Sequence, residues 1–265
     1  MLAPHFFISL LVLLVVSWNP GSESETYSSS GPPHLDELWD LHEEFEYEVR
    51  YGFMNLGTVE VETHTRDTTY NGKTARKFTN IIKSNPRVPV VGRREVHYHT
   101  MLTRNDTIPY GLRFWSDNYH DDIMEEYLYE FDYDEGEATY YVEGEKKSVS
   151  ELNEPADGGP AIFYYSRLHA GTSRNIQYPI YIDEDTGFVE INNQSSVNSY
   201  DSKAFDGKVD SYRATGNANF DGPFGFSGDF EAIFKADELR IPLEAKVKVW
   251  VGNVTVRLTD YKRHQ

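Results

Sequence analysis

Residues 243–259 read Leu-Glu-Ala-Lys-Val-Lys-Val-Trp-Val-Gly-Asn-Val-Thr-Val-Arg-Leu-Thr. Leu243, Ala245, Val247, Val249 and Val251 alternate with Glu244, Lys246, Lys248 and Trp250. A period of two marks a strand with one buried face, because successive side chains point to opposite sides. Gly252-Asn253 comes next, a pair suited to a type II′ turn. Val254, Val256 and Leu258 then alternate with Thr255, Arg257 and Thr259. The stretch predicts two antiparallel strands joined by a tight turn at Gly252-Asn253.

The same alternation extends back along the chain. Tyr47, Val49, Tyr51 and Phe53 alternate with Glu46, Glu48, Arg50 and Gly52. A turn near Met54-Asn55 leads to a strand carrying Val59 and Val61, with Gly57 at a bulge or a close backbone approach. Weaker patterns lie at Thr74–Lys83, Arg94–Leu102, Met124–Tyr133, Thr139–Val142, Tyr178–Asp183, Phe188–Gln194, Val209–Thr215 and Phe230–Lys235. Two helices interrupt them. Leu35–Phe45 is short and amphipathic. Ala161–His169 starts at Gly159-Pro160 and stops at Gly171. The spacing leaves no room for crossover helices between parallel strands. The expected fold is all-β and mainly antiparallel, a curved or half-barrel-like sheet of about 10–13 strands with one or two short helices. A β-sandwich is the alternative.

Composition narrows the function classes. The chain is 14% aromatic, with 19 Tyr and 15 Phe, which favours a packed β-domain over disorder. It has no cysteine, so disulfides, thiolate metal sites and lipid-modified cysteines are excluded. A net charge of −18 repels phosphate backbones, so nucleic acid is not an expected partner. Phe6 to Trp18 is an apolar run broken only by Ser9 and Ser17. It is short of the roughly 20 residues needed to span a bilayer. Pro20 and Gly21 end it, and Ser22-Glu23-Ser24 offers small residues for a signal peptidase. The expected organisation is a signal peptide over 1–24, a flexible leader over 25–33 and one antiparallel β-domain over 34–265. The mature chain would be periplasmic or secreted, with no transmembrane segment.

Three landmarks carry a family resemblance. They are Tyr47-Glu48-Val49-Arg50-Tyr51-Gly52 with Gly57, Tyr164-Tyr165-Ser166-Arg167, and Asp237-Glu238-Leu239-Arg240-Ile241-Pro242-Leu243 followed by Gly252-Asn253-Val254 and Leu258. Over Phe45 to Tyr261 the chain resembles the bacterial domain of unknown function 3108 family. The resemblance implies an exported protein of a Gram-negative bacterium. It implies no catalytic residue, because no activity is established for the family.

Few residues point to chemistry. His97-Tyr98-His99 places two imidazoles on one strand face, which with His64, His120 or a carboxylate could hold zinc. Solvated histidines are the simpler reading, and no metal site is assigned. Acidic runs at Asp132–Glu137 and Asp183–Asp185 lack the calcium-loop pattern, since Gly136 and Gly187 fall at the wrong offsets. No phosphate loop or dinucleotide fingerprint is present, so no cofactor is expected. Arg167 and Arg240 sit among apolar neighbours and suit bidentate pairing with carboxylates, Asp237 or Glu238 in the case of Arg240. With Tyr164, Tyr165 and Trp250 they form the set of candidate ligand-binding residues. The expected function is a non-catalytic binding or assembly factor of the cell envelope, holding an apolar ligand or an envelope protein. The alternative is an exported hydrolase of glycans or peptidoglycan using paired carboxylates.

Overall fold

In the computed structural model, which describes residues 31–88, 93–120, 123–152, 154–182, 184–220, 227–249 and 252–264, the alternating stretches form one sheet. The chain runs α1 (Leu35–Trp39), β1 (His42–Tyr51), β2 (Met54–Thr63), β3 (Thr68–Tyr70), β4 (Lys73–Ser84), β5 (Arg94–Arg104), β6 (Pro109–His120), β7 (Ile123–Asp132), β8 (Glu137–Val142) and β9 (Glu145–Glu151). Helix α2 (Ile162–His169) follows. Then come β10 (Asn175–Ile182), β11 (Asp185–Asn193), β12 (Asn198–Ser202), β13 (Gly207–Ala218), β14 (Gly228–Lys235), β15 (Pro242–Val249) and β16 (Gly252–His264). The sheet order is β10-β11-β13-β14-β15-β16-β1-β2-β4-β5-β6-β7-β8-β9, with β12 on β13 and β3 on β4. All these pairings are antiparallel, and the sheet does not close. A single open sheet of 16 strands replaces the expected 10–13 and sets the sandwich aside.

Three local expectations are corrected. The first helix ends at Trp39 rather than Phe45, because alternation takes over at His42. Glu43, Phe45 and Tyr47 are all buried on one face of β1, and the carboxylate among them disguises the pattern. The first hairpin turns before Met54-Asn55: Tyr51 faces Met54, and Gly52 takes φ +56° between them. In the last hairpin, Gly252 faces Val249 and Asn253 faces Lys248, so this pair lies in β16. Residues 250–251, between Val249 and Gly252, lie outside the described residues. The observed register sets Glu244 opposite Arg257, at ion-pair distance of 2.7 Å. A turn at Gly252-Asn253 would have set Glu244 opposite Tyr261. Gly57 is where expected: β1 and β2 slip register beside it, and a Cβ there would stand 2.0 Å from the Lys83 carbonyl oxygen.

Helix α2 lies against the inner face of the sheet. Its eight residues are too few to be stable in isolation, so packing must hold it. Phe163 meets Phe45 edge-on at 4.8 Å, Tyr164 meets Phe78 at 5.5 Å, and Tyr165 meets Tyr178 at 5.0 Å. The Asp157 carboxylate accepts the N–H of Ala161, the residue before the first turn, at 2.7 Å. Gly158 is required there, because a Cβ would stand 2.0 Å from the Phe114 ring. Gly171, at φ +78°, ends the helix in the left-handed region. The segment before α2 also ties the curve of the sheet together. Gly111 N–H donates to Ala156 O on one side, and Tyr181 N–H donates to Asp157 O on the other.

Candidate functional site

A cavity of about 280 Å³ lies between α2 and the inner face of the sheet. Its walls include Val59 and Val61 of β2, Ile162 and Phe163 of α2, and Ala232 and Ala245 of β14 and β15. Ala232 and Ala245 are directly opposite in the ladder. Two methyl side chains on facing positions leave room that larger residues fill elsewhere. The polar groups at the wall are few. Tyr47 donates its hydroxyl to Pro242 O at 3.1 Å. Glu244 accepts from Arg257 at 2.7 Å and from the Tyr200 hydroxyl at 2.9 Å. Asn80 Oδ1 is buried and meets no protein donor. A buried acceptor of this kind ordinarily finds a partner.

Of the sequence-predicted residues, Tyr164, Tyr165, Arg167 and Arg240 are not among those lining this cavity. Arg167 is fully buried and donates to both carboxylate oxygens of Glu43, at 2.7 and 3.1 Å. Its Nε donates to Leu239 O at 2.9 Å, and its guanidinium lies 5.8 Å from the Phe45 ring and 5.6 Å from the Phe163 ring. Burial opposes charge on Arg167, but Glu43 and the nearby Tyr261 and Tyr164 outweigh it and hold the guanidinium above its ordinary value. Tyr261 donates to Glu43 at 2.8 Å, and burial, reinforced by Glu43, raises its phenol. Tyr164 is buried against Trp39 and Phe78, and burial raises its phenol too. Tyr165 is half-buried between Tyr178 and His169.

Arg240 is likewise structural in its contacts. It takes φ +51°, its guanidinium lies 4.6 Å from the Tyr212 ring, and it donates to the Asp237 carbonyl. The Asp237 carboxylate accepts the Arg240 N–H at 2.9 Å and the Lys235 ammonium at 2.8 Å. The expected Asp237–Arg240 partnership therefore exists, through main-chain groups. Trp250 lies outside the described residues. Arg167 and Arg240 are brought together through the Leu239–Arg240 turn, which Arg167 grips by its carbonyl. Glu43, the cavity pair Ala232 and Ala245, and Asp157 went unforeseen. The inward parity of Glu43 with Phe45 and Tyr47 was the available signal.

Asp157 is a second fully buried acid beside Glu43. It is fully buried, accepts from Thr100 Oγ1 at 2.8 Å, and is pushed by burial up to about 6. Among the described residues, His97 and His99 join no group of three metal-capable side chains, and the His120 side chain lies outside the described residues. His97 Nε2 sits 2.6 Å from Glu95, while His99 Nδ1 sits 3.2 Å from Thr79 Oγ1. Burial, with Lys77 nearby, lowers His99 to about 4. His64 turns instead toward Glu62, with its Nδ1 3.4 Å from Oε1.

The profile of a family described as "Protein of unknown function (DUF3108)" matches residues 46–259. The chain belongs to this family. The DUF3108 match runs from β1 to β16 and contains Arg167, Arg240 and the whole cavity wall, while Glu43 lies just outside it. No curated protein matches the chain. Among solved structures, this DUF3108 member is similar to a beta-barrel-like protein of domain of unknown function DUF1849 from Brucella abortus. The TM-score is 0.55 at 10% identity, covering 86% of this chain and 100% of that one. The likeness concerns the fold alone.

Proposed function

We propose that this chain is an exported, non-catalytic binding protein of the cell envelope that holds an apolar ligand between α2 and the curved sheet. The apolar cavity of about 280 Å³ carries the reading. Its size is near the lower end of the roughly 300–1,000 Å³ of small-molecule sites. That suits a short acyl chain or a small ring system. Asn80 Oδ1 supplies one acceptor, so the preferred ligand is apolar with a single hydrogen-bond donor. The apolar run Phe6 to Trp18 supports export. Hydrolysis by paired carboxylates has less support. Glu244 is the carboxylate among the described wall residues, and Arg257 and Tyr200 already occupy it.

The test is native mass spectrometry of the protein purified from its own envelope, with a parallel titration by a fluorescent naphthylamine probe. The expected result is a co-purifying apolar molecule and saturable probe binding. Ala232→Phe should abolish both while the circular dichroism spectrum is retained. A ligand-free mass together with probe binding unchanged by Ala232→Phe would refute the reading.

A further inference from the structure

The outer face of the sheet holds a second constellation, remote from the cavity. Side chains of His42 and Glu44 on β1 point away from buried Glu43 and Phe45. Glu62 lies directly opposite Glu44, and Glu60 lies opposite Glu46. Like charges on facing positions of neighbouring strands are destabilising. Lys83 compensates Glu60 at 2.9 Å, while the ion-pair partners of Glu62 among the described residues are His42 and His64. Extending that register by two residues sets His64 beside His42, and their rings stack at 6.1 Å between centroids. Glu62 Oε1 stands 3.2 Å from His42 Nε2 and 3.4 Å from His64 Nδ1. All three ligand atoms lie within 4.8 Å of one another.

We propose that His42 Nε2, His64 Nδ1 and Glu62 Oε1 form a binding site for a divalent transition metal, with zinc as its reference ion. Ligand atoms about 2.0–2.1 Å from a tetrahedral zinc stand roughly 3.4 Å apart. The two separations from Glu62, 3.2 and 3.4 Å, fit that edge length. Two imidazoles with one carboxylate select zinc, copper or nickel over calcium and magnesium, which prefer all-oxygen shells. All three ligands rise from one face of the sheet, so the remaining coordination position faces outward. A groove of about 300 Å³ opens beside it, lined by Glu44, Glu46, Glu60, Glu62 and Asp260 against the single cation Lys262, and adds net negative potential. His264 offers a rival set, since its Nε2 is 2.9 Å from Glu44 and its ring 4.4 Å from that of His42. His42 Nε2 cannot serve both. His64 is preferred because Glu62 reaches both imidazoles with one oxygen, at 3.2 and 3.4 Å, close to the edge of a zinc tetrahedron, whereas Glu44 stands 2.9 Å from His264, shorter than that edge.

The experiment uses the purified chain, free of any polyhistidine tag and stripped with EDTA, titrated with ZnCl₂ by calorimetry. One equivalent should bind. His42→Ala, His64→Ala and Glu62→Gln should each weaken binding by about tenfold or more. His264→Ala and His97→Ala should leave it within about twofold, below the tenfold-or-greater loss that marks a true ligand. All five positions are at least partly exposed, so the variants should fold, which circular dichroism checks. Cobalt substitution should give the visible absorption of a tetrahedral ion, lost in His64→Ala. Absence of stoichiometric zinc binding overturns the proposal. So does a His64→Ala variant with wild-type affinity, or a His264→Ala variant as weak as His64→Ala.

Discussion

Replacing Glu43 by Gln removes one charge from a fully buried ion pair at nearly constant volume. Three donors converge on this carboxylate: two guanidinium nitrogens of Arg167, at 2.7 and 3.1 Å, and the Tyr261 hydroxyl at 2.8 Å. In Glu43→Gln, the amide oxygen accepts at most part of that set, and its NH₂ faces donors. Arg167 stays buried without a counter-charge, since its other bond goes to the neutral Leu239 carbonyl. Breaking a buried pair from one side costs about 3–5 kcal/mol. No cavity is created, so about 3–4 kcal/mol is the expected loss. Against a total stability of roughly 5–15 kcal/mol that is a large share. For a domain of this size it lowers Tm by about 6–15 °C. Urea unfolding at pH 7, followed by circular dichroism, measures it. The double variant Glu43→Leu with Arg167→Met should be more stable than Glu43→Gln, because it buries no lone charge. A Glu43→Gln loss under about 1 kcal/mol, or a double variant weaker than the single one, would refute this account of the pair.

Other expectations follow from single contacts. Gly57→Ala forces a methyl to 2.0 Å from Lys83 O and should destabilise by about 1–3 kcal/mol or more, read from the urea midpoint. Asp157 is pushed from 3.8 up to about 6 by burial. Its folded form therefore binds the proton more tightly than the unfolded form, so its contribution is full below about pH 4 and is lost as pH rises through about 6. The stability of wild type relative to Asp157→Asn should fall by about 2.4 kcal/mol between pH 4 and pH 7.5; a difference that stays flat or grows contradicts this. His99, lowered to about 4 by burial, should keep a neutral imidazole at pH 5 in a proton NMR titration.

Strands with one buried face were legible because burial imposes the alternation. β9 was not, since Glu145–Glu151 has Val149 as its lone apolar residue and is almost wholly exposed at a sheet edge. β6 was hidden by a register slip: Met101 faces Arg113 while Leu102 faces Gly111, so Leu112 is an extra residue that breaks the period. Helix α2 was legible through Gly159-Pro160 and Gly171, whose backbone roles are local. Which side of it would face the cavity was not. That orientation depends on Arg167 meeting Glu43, a partner 124 residues away. The cavity itself comes from Ala232 and Ala245 standing opposite, a coincidence of register rather than of composition. The sequence offered His64 as one possible companion of His97 and His99; the proposed set joins it instead to His42 and Glu62, a juxtaposition that depends on the β1–β2 register.

The position of β16 bears on how the chain is made. It follows the fifteen other described strands in sequence, yet it lies between β15 and β1 in the interior of the sheet. Until it emerges from the ribosome, β1 presents an unpaired edge. An exposed edge of that kind recruits foreign strands. The join of β1 to β16, which sets His42 against His264, is also the longest loop closure in the ladder and is expected to form late. A nascent chain halted at residue 251 would carry fifteen of these strands and still have two half-sheets, with a gap where the last strand belongs.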